Sequence, residues 1–308
     1  MSLVAHIQQL FEYLVEPWLI IASSISHIPS TISGLVSSGD YGKLLSPSAF
    51  GRELFGNLWV TLGPETKANA EPVIVPLLEG KVSGAKVHDH VVSTPVHGTV
   101  LEVGAGSGMW ADVLARVREN ASFGTGEMGG LRSRRAESGT GAGRGGITKI
   151  YGIEPNPISA AALRKRVREV GLGDVYEVVP VGVEDVTSST AWEGTIEPGS
   201  VDCIVGIRCM CSIPDPRENI ERLYKLLKPG GTWYVFEHVK TTRGFPIMPL
   251  YQRFVNCVWM FFMGPCRICR PTDQTLRDVG TWSKFDLATS PDEPPYAVMP
   301  HVIGVLTK

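Results

Sequence analysis

The spacing of apolar positions changes once along this chain. Near the start, Leu3, Val4, Ile7, Leu10, Phe11, Leu14, Val15 and Trp18 follow the i, i+3, i+4, i+7 pattern of an amphipathic helix, with Glu12 and Glu16 off the stripe. Pro17 predicts an end or kink near Glu16. Further prolines at 29, 47, 64, 72 and 76 punctuate a helical extension over residues 1–95. From His97 onward, short apolar runs alternate with helix-period segments. Strands are predicted over 99–103, 148–153, 176–181, 201–207 and 232–237, with two more over 285–289 and 302–307. Helices are predicted over 108–117, 157–170 and from Asp215 to Leu227. Alternation of this kind predicts a parallel sheet with crossover helices. The expected fold class is α/β: a doubly wound, Rossmann-like seven-stranded sheet over residues 96–308, preceded by the α-helical N-terminal extension.

Local signals sharpen some boundaries. Asn156 is a helix N-cap followed by Pro157 at the first position, and Gly171 stands just past the end. Between the first helix and the second strand of the sheet lie residues 119–146, which hold nine glycines together with Arg132, Arg134, Arg135 and Arg144. That stretch has no apolar period, and the expectation is a disordered surface insertion.

Composition narrows the function classes. Lys and Arg total 29 against 31 Asp and Glu, a net charge of −2, which argues against a broad nucleic-acid footprint. Six cysteines in a chain of 308 residues with a full apolar complement do not suggest a disulfide framework. Cys266 and Cys269 have CxxC spacing, but no second pair or nearby His completes a zinc set in the sequence, so no metal site is expected. No Lys or Arg precedes Lys43, which speaks against a secretory or mitochondrial leader. The apolar run 17–22 falls short of the ~20 residues that span a bilayer. The N-terminal helix is therefore expected to pack on the chain's own core or over its substrate pocket, in a cytoplasmic protein. The alternative is peripheral contact with an intracellular membrane through the apolar face.

The candidate chemistry sits at the first strand–helix junction of the sheet. There the sequence reads Leu101-Glu102-Val103-Gly104-Ala105-Gly106-Ser107-Gly108. Glycines at 104, 106 and 108 allow a sharp turn and close ligand approach at the carboxyl end of the strands. The spacing is E-x-G-x-G-x-G rather than the dinucleotide G-x-G-x-x-G. Glu102 precedes the loop, where an acid suits an ammonium group, and no basic cluster awaits a pyrophosphate. A cationic sulfonium with an amino-acid end and a ribose fits these features, which points to S-adenosylmethionine (SAM). Glu154, followed by Pro155, ends the second strand, where a carboxylate takes ribose hydroxyls. It lies 50 residues beyond Gly104, or 22 once the 28-residue insertion is removed, close to the expected ~20. Glu184 and Asp185, after the third strand, offer a carboxylate to the adenine amino group.

With these residues placed, the stretch from Thr99 to Glu237 resembles class I SAM-dependent methyltransferases. In particular it is similar to the methyltransferase-like 7 family, whose members methylate thiols, and more distantly to the ubiquinone/menaquinone-biosynthesis methyltransferases. LEVGAGSG, IEPNP, VED, VDCIVGIRCMCSIPDP, LLKPGGTWYVFEHV and the tail HVIGVLTK carry the likeness. The family lacks the glycine-rich insertion. It also has a Thr-Leu-Val-Leu-Cys-Ser type of run where this chain has Ile207-Arg208-Cys209-Met210-Cys211-Ser212. The resemblance implies binding of SAM by Glu102, Gly104, Ala105, Gly106, Gly108, Glu154, Pro155, Glu184 and Asp185, and it places Arg208 at the methyl-transfer site.

Methyl transfer from a sulfonium depends on positioning and desolvation more than on a universal base. His238, at the end of the fifth strand, is the best-placed candidate base. Arg208 is a candidate for holding the cofactor carboxylate or an anionic substrate. Residues 248–263, rich in Tyr, Phe, Trp and Met, read either as core or as a lipophilic pocket wall. Two functions follow: methylation of a lipophilic small molecule at sulfur or oxygen, or a catalytically silent SAM-binding protein whose helical extension docks a partner.

Overall fold

The computed structural model describes residues 3–123 and 146–308. Its first four helices are α1 (Leu3–Ser26), α2 (Ile28–Ser37), α3 (Tyr41–Leu45) and α4 (Pro47–Leu78). A small hairpin of β1 (Val82–Ser83) and β2 (Lys86–Val87) follows. The sheet is then laid down by β3 (Gly98–Val103), β4 (Ile147–Ile153), β5 (Tyr176–Val179), β6 (Val201–Ile207), β7 (Leu227–His238), β8 (Lys284–Thr289) and β9 (His301–Thr307). Helices α5 (Ala111–Phe123), α6 (Pro157–Glu169), α7 (Pro216–Leu226), α8 (Met248–Phe262) and α9 (Thr272–Asp278) connect these strands.

The seven strands stand in the order β5-β4-β3-β6-β7-β9-β8. Neighbours from β5 to β7 pair in parallel, and β9 runs antiparallel to both β7 and β8. The order reverses between β3 and β6, which is where doubly wound sheets bind ligands. Both faces are covered. Ile74 and Leu77 of α4, Leu114 of α5 and Leu163 of α6 bury one face; Ile220 and Leu223 of α7 and Leu276 of α9 bury the other. That explains why the central strands read as continuous apolar runs rather than alternating ones.

Several elements differ from expectation for identifiable reasons. α1 runs through Pro17 to Ser26 instead of stopping near Glu16. A proline inside a helix costs about 3 kcal/mol, and tertiary contacts offset it. Trp18 Nε1 donates to the Tyr251 hydroxyl (2.8 Å), Ser24 donates to the Phe262 carbonyl (2.7 Å), and Ile21 is buried. α4 likewise continues through Pro64, Pro72 and Pro76 while burying Leu58, Ile74 and Leu77. With Pro17 bridged, the stretch Val4–Ser37 is long and apolar enough to cross a membrane by length and composition, which corrects the expectation from the short run 17–22. α5 begins at Ala111, not at Gly108, because Gly108 is left-handed (φ +89°) and cannot be helical. It then extends to Phe123, into the start of the expected insertion; residues 124–145 lie outside the described residues.

β7 starts at Leu227, earlier than expected, because Leu227 pairs with Val201 of β6, and the chain's tail then hydrogen-bonds across Gly230-Gly231 (Gly230 N to Lys308 O, 2.9 Å; Lys308 N to Gly231 O, 3.0 Å). α6 matches its capping signals, with Asn156 Oδ1 accepting from Ile158 and Ser159 amides. At α7, Asp215 occupies the N-cap with φ +36° and makes no side-chain cap.

Candidate cofactor cleft and acceptor cavity

The loop after β3 turns through Gly104, Gly106 and Gly108, all at positive φ. A Cβ on Gly104 would lie 2.6 Å from Cys209 Cβ, so this glycine is required by close packing against the loop after β6. A Cβ on Gly106 would meet nothing within 4 Å, which leaves open space along its cleft side. Glu154, at the end of β4, closes that loop from the side. Its two carboxylate oxygens accept from the amides of Gly106 and Asn156, both at 2.9 Å. Burial raises the Glu154 pKa, and those two amides pull it back. Each oxygen keeps a second lone pair for a ligand hydroxyl. Pro155 follows without a competing N–H donor. This cradle fits SAM: a glycine loop with open space at Gly106 and a carboxylate at its edge.

Glu102 lies buried beneath the loop. Its carboxylate is 3% exposed and accepts the Tyr176 hydroxyl at 2.5 Å. The contact passes over Gly152 on the intervening β4, where a Cβ would collide with the Tyr176 hydroxyl. Burial pushes the Glu102 carboxyl up to about 7. Glu184 and Asp185 lie exposed in a 3₁₀ turn after β5, and Arg222 holds the Glu184 carbonyl.

A second space opens between α1, α4, α8 and the carboxyl ends of β6 and β7. It measures about 710 Å³. Phe55, Leu62, Trp59, Trp259 and Met263 supply much of its apolar wall, and Arg208, Cys211, His238 and His301 its polar floor. Arg208 takes a left-handed conformation (φ +52°), its amide donates to Phe236 O (2.7 Å), and its guanidinium lies 5.1 Å from the Phe236 ring centroid. Its buried Nε has no hydrogen-bond partner, and burial lowers its pKa. Glu16 of α1 lines the same cavity; burial raises its pKa, and nearby His238 and Arg208 counter the rise. His301 lies beside His238 with the rings tilted (4.4 Å between centroids), and burial holds its pKa well below the usual imidazole value.

Two features escaped the sequence reading. Glu237, wholly buried on β7, accepts from the amides of Cys209 (2.8 Å) and Met210 (3.1 Å) and so fixes the loop that carries Arg208. Its only sequence signal is an acid inside an apolar strand. Cys211 and Cys266 stand with their sulfurs 3.5 Å apart, beside His238. Residues 248–263 divide between both expected roles: Val255 is core, Trp259 and Met263 line the cavity, and Leu250, Phe254 and Phe261 are exposed.

A seven-stranded sheet with this strand order, a Gly-rich loop after its first strand and an acid ending the second defines a class I SAM-dependent methyltransferase. The family described as "Methyltransferase domain" matches residues 84–278, and the chain belongs to it. Thiol S-methyltransferase TMT1B of Rattus norvegicus is 30% identical over 112 residues, covering 35% of this chain and 44% of that protein. Thiol S-methyltransferase TMT1A of Homo sapiens is 24% identical over 181 residues, covering 54% of this chain and 68% of that protein. The matched regions thus span from under half to about two thirds of these relatives. Among solved structures, geranyl diphosphate methyltransferase in complex with SAM aligns with a TM-score of 0.50 at 13% identity, covering 82% of this chain and 89% of that one; it speaks to the fold alone.

Proposed function

We propose that this chain transfers a methyl group to a lipophilic small molecule, at sulfur or oxygen. Bound SAM supplies a methyl group made electrophilic by its sulfonium. The Gly104–Gly108 loop, including Ala105, receives the amino-acid end, with Arg208 available to its carboxylate. Glu154 takes the ribose hydroxyls, beside Pro155, and Glu184 or Asp185 takes the adenine amino group. Glu102, tied up by Tyr176, braces the strand beneath the loop. The observation that carries the acceptor class is the 710 Å³ cavity with aromatic walls, lined by Arg208 and Cys211 on either side in sequence of Cys209, the residue packed on Gly104. Arg208 and His238 on the cavity floor support a role where acceptor meets cofactor, and the cover of α1 and α4 supports shielding of the reaction from water. His238 is the proton acceptor for an oxygen or sulfur acceptor.

The location of α1 supports its role as a roof. Leu10, Leu14, Trp18 and Ile21 pack inward, while Val4, Ile7 and Phe11 stay exposed. That outer strip supports a peripheral contact with an intracellular membrane by a chain in the cytoplasm. The names of the thiol methyltransferase relatives favour sulfur among the acceptors. The test is turnover of methyl-labelled SAM against a panel of hydrophobic thiols, phenols and carboxylic acids. Labelled thioether or ether products are expected. SAM binding with no product from any acceptor would replace this reading with the catalytically silent one.

A further inference from the structure

The acceptor cavity holds a donor set that methyl transfer does not by itself require. Cys211, in the loop after β6, Cys266, after α8, and His238, at the end of β7, each bring one ligand atom to within 4.8 Å of the others. The two sulfurs are 3.5 Å apart. In a tetrahedral zinc site with Zn–S bonds near ~2.3 Å, ligand atoms stand roughly 3.4–3.8 Å from one another, so the pair is already at ligating distance. His238 Nδ1 is buried and has no hydrogen-bond partner. Outer contacts suit ligating sulfurs as well. The Ser212 hydroxyl lies 3.5 Å from Cys211 Sγ, and the Cys211 carbonyl is held by the Arg267 amide. Three nearby arginines, Arg208, Arg267 and Arg270, stand against Glu16, Glu237 and Glu293. A divalent cation with two thiolates therefore leaves the surroundings near neutral.

We propose that Cys211, Cys266 and His238 bind a soft divalent metal ion, zinc foremost, whose fourth position opens into the acceptor cavity and takes an acceptor thiolate. Thiolate and imidazole donors select zinc over harder cations, and three protein ligands with one open position are the pattern of a reactive rather than a purely structural site. All three residues line the cavity, so the open position faces it. On ligation, the incoming thiol displaces water from the metal. Its sulfur forms the fourth metal bond, and its proton leaves to solvent. With the metal bound, His238 is its ligand and gives up the base role proposed above, and the metal performs the ionisation. The acceptor half of this proposal rests on the methyl-transfer reading; the metal half stands without it.

The experiment uses the full chain, reduced, stripped with a chelator and titrated with Co²⁺. One equivalent is expected to bind with thiolate-to-cobalt charge-transfer absorption and tetrahedral d–d bands, and Zn²⁺ to displace it. Cys211→Ser and Cys266→Ser should each weaken binding by more than roughly 100-fold, beyond the loss typical of an outer partner. Cys269→Ser should leave it unchanged. Because a ligand variant can misfold, the parent is also alkylated with and without Zn²⁺, and metal must protect Cys211 and Cys266 selectively in mass spectrometry. Failure of that protection, or cobalt bound no better by the parent than by the doubly substituted chain, overturns the metal site.

A small hydrophobic thiol should then strengthen the charge-transfer band, and the matching alcohol should not. A free thiol with pKa ~8.5 is only a few per cent ionised at neutral pH. Zinc should therefore speed labelled methyl transfer up to roughly tenfold at pH 7 and less at pH 9. Equal rates with and without metal at both pH values overturn the acceptor role of the fourth position. A thiol-dependent cobalt spectrum with no methyl transfer under any condition supports the site and overturns the methyl-transfer reading instead.

Discussion

Replacing Glu102 by Gln tests the electrostatics of the cofactor strand. The carboxyl is enclosed beneath the Gly-rich loop, with Tyr176 as its hydrogen-bond donor. Burial lifts its pKa from 4.5 to about 7. A group that binds its proton more tightly when folded stabilises the fold below its unfolded pKa and loses that contribution as pH rises through the folded value. At 1.36 kcal/mol per pKa unit, the contribution is about 3 kcal/mol, present at pH 4 and gone by pH 8. Gln keeps an acceptor for Tyr176 and has nothing to titrate. The parent's unfolding free energy should therefore fall relative to that of Glu102→Gln by about 3 kcal/mol between pH 4.5 and 8. Other buried acids, such as Glu293 with its carboxyl pushed up to about 7, titrate in both proteins and cancel in the difference. Urea unfolding followed by tryptophan fluorescence, without cofactor and at half-unit pH steps, measures this difference. A difference that stays flat across that window, or rises with the opposite sign, would show that the carboxyl is not held protonated by burial.

Three other outcomes follow from the same geometry. Gly152→Ala places a methyl group in the position of the Tyr176 hydroxyl and should cost about 2 kcal/mol of stability, read by thermal melting; adding Tyr176→Phe should recover part of it. Glu154→Ala should weaken SAM binding by ~1.5–3 kcal/mol, the range for a hydrogen bond to a charged group, with calorimetry as the check and unchanged affinity as the refutation. Removing residues 1–26 takes away the α1 roof and should cut turnover of apolar acceptors while SAM binding survives; equal turnover, with loss of co-sedimentation with neutral vesicles, would assign α1 to a membrane instead.

The sheet was legible because each strand is flanked by its own local signals. The Asn156-Pro157 start and Gly171 stop of α6 are encoded within a few residues of where they act, and so is the glycine turn after β3. What the sequence hid depends on neighbours brought together by the fold. Pro17 breaks an isolated helix, but partners on α8 hold α1 straight through it. The Tyr176–Glu102 hydrogen bond requires knowing that β4 lies between their strands and offers only a glycine at the crossing. CxxC spacing drew attention to Cys269 as the partner of Cys266, whereas the sulfur beside Cys266 belongs to Cys211, 55 residues earlier. Glu237 looked like one polar residue in an apolar strand, because its partners are amides of a neighbouring loop rather than side chains with a sequence signature.

The contact of Trp18 with Tyr251 spans 233 residues, and its consequence is one of time. At ~5–20 residues per second of synthesis, α1 leaves the ribosome roughly ten to fifty seconds before α8 exists to cover it. Throughout that interval its inner stripe of Leu10, Leu14, Trp18 and Ile21 has only the early helices beside it, α4 with Leu58 among them, and lacks the α8 wall. The roof of the cavity is made first and its α8 wall late, so the nascent protein carries a half-covered apolar helix for most of its synthesis. Chaperones or a lipid surface meet this helix before the rest of its own fold does.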